Sequence, residues 1–411
     1  MVTGLGAVCA LGANASETWA AARDGRSGIR RHVFDAGPNG PEAHETPAAL
    51  VEGDIVAPLE AALGRRFGQS LDPFAILALA VAHEALDQAG LLGSAALERR
   101  TAVVLGHGFA GIHSLEAAFE RFYGRKAAKL HPVTVPKVMV SAPVSAVAIT
   151  FGIKGPVFAV SSACSSSGHA IAQGASLIAS GQCDIALVGG SEAIATPGCL
   201  RAWEGLQAMS PTTCRPFSAG RDGMTIGEGG AAMVLEDADH ARARGAMILA
   251  ELGGVGLSSD AFHWTQPSLE GAVTAMAAAC EQAGLTDGDQ VLISTHGTGT
   301  PLNDKNEAAA IHAVFGARAG RQPVIATKSA HGHLIGAATA LQGVIGLQAL
   351  RAGLAPPILG WLGRDPDCDL DLVLGEARPI AADALLLNAF AFGGLNTSLV
   401  FRLWRDAAAT A

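Results

Sequence analysis

Cys164 is the first residue whose setting could do chemistry. It stands in VSSACSSSGHAIAQGASLIASG (160–181), where an apolar strand-like run stops and an Ala/Ile/Leu-rich helical run begins. A helix start exposes unpaired N–H groups and carries partial positive charge, which stabilises a thiolate by about 0.3–1 kcal/mol. Ser165, Ser166 and Ser167 suit a first helical turn, where hydroxyls satisfy backbone groups. Two readings stand on this stretch alone: a nucleophile at a sheet edge, or a small buried hydrophobe, the usual fate of a free cysteine. Two histidine segments bear on the choice. STHGTGTPLND (294–304) puts His296 just after the apolar run VLIST, and ATKSAHGHLIGAATA (326–340) puts Lys328, His331 and His333 ahead of an apolar helix. Open α/β sheets bind ligands at strand exits, and two histidines in glycine-rich loops there point to chemistry. NAFAFGGLNTS (388–398) adds paired glycines after another buried run, a loop able to supply N–H donors to an oxyanion.

Such a constellation needs a framework, and the chain has the means to build one. Of 411 residues, 49% are apolar and 16% charged, so a large buried interior is expected and disorder is not. The net charge of −9 makes nucleic acid a poor partner. Seven cysteines at scattered spacing, without C-x-x-C, argue against disulfides and zinc. No signal-like start is present, and the longest apolar run (334–350) carries two glutamines and three glycines, as a buried helix would. A soluble cytoplasmic protein is expected. The runs 101–106, 157–160, 184–190, 231–236, 291–295, 323–327 and 384–390 predict buried strands, and 72–90, 270–284 and 306–316 predict helices. This alternation predicts an α/β architecture. The charged stretch 236–246 is the expected connection between two halves, and 25–70 reads as surface loop with short elements.

The ordered motifs ACSSS at Cys164, HGTGTPLND at His296, KSAHGH from Lys328 to His333, and NAFAFGGLN resemble those of the β-ketoacyl-acyl-carrier-protein synthases, most of all the elongating KAS II type. VTGLGAVCALG, GRSGI (25–29), CRPFSAGRDGMTIGEGG (214–230) and DPDCDLDLV (365–373) extend the resemblance over essentially the whole chain. It implies the thiolase fold, a five-layer αβαβα sandwich of two similar halves: 1–240 with Cys164, and 241–411 with His296 and His333. It implies a homodimer without metal or redox cofactor, acting on chains carried by the phosphopantetheine of acyl carrier protein. Cys164 would take the acyl group, with the N–H groups of Cys164 and Phe392 holding the oxyanion. His296 and His333 would polarise the malonyl thioester as carbon dioxide leaves. Lys328 would hold local charge and order near His333, paired with Glu307; a purely structural ion pair is the other reading. Thr298 and Thr300 would bind the pantetheine amides, and Phe390 and Gly393 would line its path. Phe392 would gate the acyl channel or simply pack in the core. Arg65, Arg66, Arg125, Lys126 and Lys129 are the expected carrier-docking patch.

Several positions depart from the family pattern. His331 stands where Thr is frequent, Ala391 where the gate often has glycine, and Phe109, in GHGFAG (106–111), where Ile often lines the acyl pocket. Phe109 is expected to shorten that pocket or select an unusual chain. Gln69 and Gln207 replace frequent basic residues, which thins the docking patch. Gly4 and Gly6 lack the third glycine of a dinucleotide loop and read as a tight turn. The alternating Asp residues of 365–376 read as an edge strand, since Leu370 occupies the place where a calcium loop needs Gly. Other readings are the same chemistry in a dedicated secondary acyl or polyene pathway, as in nodulation-type acyl synthases, and a non-catalytic chain-length partner subunit. Cys164 with both histidines argues against the partner subunit. A thiolase would need a second cysteine near NAFAFGGLN, which has none.

Overall fold

The computed structural model describes residues 1–37, 40–67 and 70–405. Eleven strands form the main sheet: β1 (Val2–Cys9), β2 (Thr101–Gly106), β3 (Val157–Val160), β4 (Ile185–Glu192), β5 (Gly229–Glu236), β6 (Ala250–Ser259), β7 (Val291–Ser294), β8 (Pro323–Ile325), β9 (Asp371–Leu372), β10 (Ala384–Ala391) and β11 (Leu395–Leu403). Their spatial order is β9-β8-β7-β10-β11-β6-β1-β5-β4-β2-β3. Within 1–240 the strands run in space first, fifth, fourth, second, third. From β6 onward the same order repeats, with β9 added at the outer edge. The pairs away from the junction, β2–β3, β2–β4, β7–β8, β7–β10 and β8–β9, are parallel, and the strands nearest the junction are antiparallel. A single register pair, Val2 opposite Ala250, joins the two sheets edge to edge.

Five helices complete the layers. α1 (Pro73–Gln88) covers β1, β4 and β5, and α3 (Leu269–Gln282) covers β6, β10 and β11. Between the sheets lie α2 (Ser166–Ala179), packed on β2 and β4, and α5 (Ala338–Ala352), packed on β5 and β10; the two central helices touch. α4 (Pro301–Phe315) packs outside, on α3. Helix, sheet, helix pair, sheet, helix is the expected five-layer arrangement. α5 is buried on nearly every side, as its all-round apolar sequence demands. Among the described residues no helix is long and apolar enough to cross a membrane.

Two expectations change. Gly4 and Gly6 form no turn but lie inside β1, where a Cβ would meet the carbonyl oxygens of Ala85 and Val81 at 2.1 and 2.2 Å. They let α1 press its backbone onto the strand. The 25–70 segment holds short elements, as expected: a hairpin, Arg30–Phe34 with His44–Ala49, and a helix over Val56–Leu63. The Asp-rich run, expected as an edge strand, is strand only at β9 (Asp371–Leu372), after a 3-10 turn over Pro366–Cys368, and its aspartates are ion-paired: Asp365 with Arg221, Asp367 with Lys305, Asp369 with Arg364, Asp371 with Arg378.

Candidate active site

Cys164 sits on a sharp elbow between β3 and α2. Ala163, just before it, holds φ +50°, a left-handed conformation that a residue with a Cβ adopts only when its surroundings impose it. The three serines impose it. The Ser165 hydroxyl donates to the carbonyls of Ala389 (3.0 Å) and Leu395 (2.7 Å), tying the elbow to β10 and β11. Ser166 Oγ accepts the Ser162 N–H at 2.9 Å and lies 2.6 Å from the Ala163 carbonyl, closing the turn on itself. Ser167 Oγ accepts the N–H of Ala340 at 3.0 Å, joining the elbow to α5. Cys164 itself is 6% exposed. Burial pushes its thiol pKa up to about 11, against the pull of Lys328 and of two N–H groups aimed at the sulfur, those of Phe392 and of Cys164 itself. Desolvation thus outweighs the helix-start stabilisation anticipated from the sequence, and the resting group is the thiol.

His296 follows β7, and both faces of its backbone are gripped. Glu307, from α4, accepts the N–H groups of His296 (2.7 Å) and Gly297 (2.8 Å). On the other side the Lys328 ammonium donates to the His296 carbonyl and lies 3.4 Å from its Nδ1. Lys328 and Glu307 therefore hold the same loop and form no ion pair with each other, contrary to the sequence expectation. The Lys328 partner is Gln342 of α5, whose Oε1 accepts from Nζ at 2.6 Å. His333 Nδ1 accepts the Ile335 N–H at 3.1 Å, so the ring proton is on Nε2, which is buried without a partner. The two imidazoles stand 5.5 Å apart at 82°. Burial, helped by the Lys328 charge, holds both pKa values well below the usual histidine range. Both rings are neutral N–H donors.

A cavity of about 410 Å³ is lined by Cys164, His296, His333, Thr298, Thr300, Phe390, Phe392 and Gly393 together. The Thr298 and Thr300 hydroxyls bond each other at 2.8 Å. A second cavity of about 310 Å³, walled by Phe109, Cys199, Trp203, Leu206, Ile335 and Phe392, also opens on Cys164. One sulfur facing two neutral imidazole donors and two backbone N–H groups suits attack on a thioester followed by stabilisation of an enolate. Residues 1–241 match the family "Beta-ketoacyl synthase, N-terminal domain", and residues 249–361 match "Beta-ketoacyl synthase, C-terminal domain". The chain belongs to the β-ketoacyl synthase family. It is 41% identical over 402 residues to nodulation protein E of Rhizobium meliloti (strain 1021), covering 98% of each chain. It is 34% identical to 3-oxoacyl-[acyl-carrier-protein] synthase 2 of Coxiella burnetii (strain RSA 493 / Nine Mile phase I), covering 97% of each. A β-ketoacyl synthase from Burkholderia phymatum STM815 superposes with a TM-score of 0.89 at 33% identity, covering 98% of this chain and 99% of that one.

In this β-ketoacyl synthase most of the remaining predicted positions fall outside the cavities. Lys328 and Glu307 are fully buried behind His296. Arg65, Arg66, Arg125, Lys126 and Lys129 are exposed and line neither cavity; Arg125 pairs with Glu120, and Arg65 lies over the Phe67 ring. Gln207 lines the larger cavity, and Gln69 lies outside the described residues. His331 is buried two residues before His333, with Nε2 at 2.9 Å from the Thr327 hydroxyl. Sequence reasoning missed Gln342 and Glu192. Glu192 is buried beneath both loops and accepts the N–H groups of Gly108 (2.6 Å), Phe109 (3.2 Å) and Gly336 (2.9 Å). It thereby couples the Phe109 wall of the smaller cavity to the His333 loop. The signal for Gln342 was a polar residue inside a helix apolar on every side, which must have a buried partner.

Proposed function

We propose that the synthase elongates acyl chains by decarboxylative Claisen condensation on acyl carrier protein. Cys164 attacks the acyl thioester, its proton passes to the departing pantetheine sulfur, and the acyl group stays on Cys164. The N–H groups of Cys164 and Phe392 hold the tetrahedral oxyanion. Malonyl-carrier then enters the larger cavity past Thr298 and Thr300, with Phe390 and Gly393 along its path. The Nε2–H groups of His296 and His333 hold its thioester oxygen as carbon dioxide leaves and the enolate forms. The enolate carbon attacks the acyl-Cys164 carbonyl and the Cys164 sulfur leaves as thiolate, giving a 3-oxoacyl-carrier two carbons longer; the thiolate then takes one proton from solvent to return to the thiol. Lys328 and Glu307 position His296, Phe392 gates the junction of the two cavities, and Arg65, Arg66, Arg125, Lys126 and Lys129 meet the acidic carrier. The observation that carries this reading is the unpartnered His333 Nε2–H, in a ring that shares one cavity with the sulfur. Two copies complete the unit: β3 ends the sheet with its outer edge open, and Phe119, Phe122, Tyr123, Val135 and Ile149 are exposed between β2 and β3.

A dedicated secondary acyl pathway is the second reading. The higher identity to a nodulation protein than to a synthase 2 supports it, as does the aromatic ring of Phe109 in the apolar cavity. Intact-protein mass spectrometry after incubation with a panel of acyl-carriers tests both. The expected result is one acyl adduct on Cys164, absent in Cys164→Ala, discharged by malonyl-carrier as a product two carbons longer. Failure of any chain to load Cys164 refutes the proposal. The length and unsaturation of the chains retained separate the two pathways.

A further inference from the structure

Lys328 is fully buried, and its ammonium has three protons to place. Three neutral acceptors receive them: the His296 carbonyl, His296 Nδ1 at 3.4 Å, and Gln342 Oε1 at 2.6 Å. The orientation of the Gln342 amide is fixed, because its Nε2 donates to the Thr295 carbonyl. Gln342 and Lys328 thus hold the successive carbonyls of Thr295 and His296, while Glu307 holds the successive N–H groups of His296 and Gly297. Among the described residues no acid forms an ion pair with Lys328. The charged and titratable groups around it are Glu307 and Asp304 from α4, Cys164 from the elbow, Cys214 from the 214–230 segment, and the imidazoles of His296, His331 and His333.

We propose that Gln342 is a positioning residue that seats Lys328 against His296 Nδ1 with a neutral acceptor in place of a counter-charge, so that Lys328 can release its proton and the tautomer of His296 follows. This rests on the proposed condensation. Protonated Lys328 donates to Nδ1, which keeps the His296 proton on Nε2, facing the cavity. When Lys328 loses its proton to solvent, the amine accepts from Nδ1–H. The His296 proton then sits on Nδ1, and Nε2 presents a lone pair to the enolate oxygen. The net change is one proton lost and one donor removed from the cavity. Burial pulls the Lys328 pKa down from the ordinary lysine value, bringing the change towards working pH. Activity in the malonyl step is present below that pKa and lost as pH rises through it.

The test is the pH profile of the malonyl half-reaction in single turnover, starting from preformed acyl-Cys164 enzyme so that thiol titration does not enter. Wild-type enzyme is expected to show a basic limb below the ordinary lysine value of about 10.4. Gln342→Glu supplies the counter-charge and is expected to move that limb up by about one pH unit or more. Gln342→Met removes the acceptor and is expected to move it down; it decides the matter alone if Gln342→Glu does not fold. Limbs that coincide in wild type and in the folded variants, or that move together in one direction, overturn the role of Gln342 and leave the condensation standing. Wild-type enzyme that loads no acyl group at any pH overturns both.

Discussion

Replacing His333 by Ala separates the two half-reactions. The structure defines what is removed: one neutral Nε2–H, buried without a partner in a ring that lines the cavity, with its tautomer set by the Ile335 N–H on Nδ1 at 3.1 Å. The ring is wholly buried and makes no other hydrogen bond through Nε2, so the donor is preorganised and pays no reorganisation when an oxyanion forms. Removing one such donor lowers the rate by about 10²–10³, or roughly 2.7–4 kcal/mol of transition-state stabilisation. That loss falls on enolate formation from malonyl-carrier. Acylation of Cys164 uses the N–H groups of Cys164 and Phe392 and is expected to stay within about fivefold of wild type, well short of a lost donor. Folding is not expected to suffer by the same amount, because the unpartnered Nε2–H is itself a cost of about 1–3 kcal/mol in the folded state. The assay is a pair of rates on one preparation: acyl adduct formation by intact mass, and carbon dioxide release from malonyl-carrier. Equal losses in both would refute the division of labour between the backbone hole and the imidazole pair.

Three further outcomes follow from the same geometry. Phe109→Ala opens the wall of the smaller cavity, and each additional methylene buried there adds about 0.8 kcal/mol, roughly fourfold in kcat/KM; the C12–C16 to C4–C8 ratio of acyl-carrier turnover should rise, and wild-type enzyme already turning over both groups equally would refute Phe109 as the limit. With the Cys164 thiol pKa pushed up to about 11, alkylation by iodoacetamide should accelerate about tenfold per pH unit from pH 7 to 9, and a plateau near pH 7 would show a resting thiolate. Burial pushes the Glu192 carboxyl up to about 8. The unfolded chain releases this proton near pH 4.3 and the folded one near 8, so its contribution falls as pH rises through that window. Thermal unfolding from pH 5 to 8 should therefore decline less in Glu192→Gln than in wild type, and parallel declines would refute the assignment.

How far the site could be read from the chain depends on what each residue's neighbours are made of. The buried strands β2, β4, β7 and β10 announce themselves as unbroken apolar runs, because both faces are covered. β1 and β6 do not, because glycines such as Gly6, Gly254 and Gly256 take the place of side chains where the carbonyls of Val81, Ala279 and Ala275 press close. β11 hides behind Asn396, Thr397 and Ser398, which are polar yet buried. The family resemblance implied a Lys328–Glu307 pair, but the backbone of the His296 loop takes both, and no pattern of residue types records a backbone partner. The convergence itself is legible only in topology. Cys164 follows the third strand of its half and opens α2; His333 follows the third strand of the other half, just ahead of α5. The halves repeat an order of elements with no visible repeat of residues. Because α2 and α5 pack against each other between the sheets, the loops ahead of them are brought together, and the Cys164 sulfur and the His333 imidazole, 169 residues apart, share a cavity as a consequence of the fold.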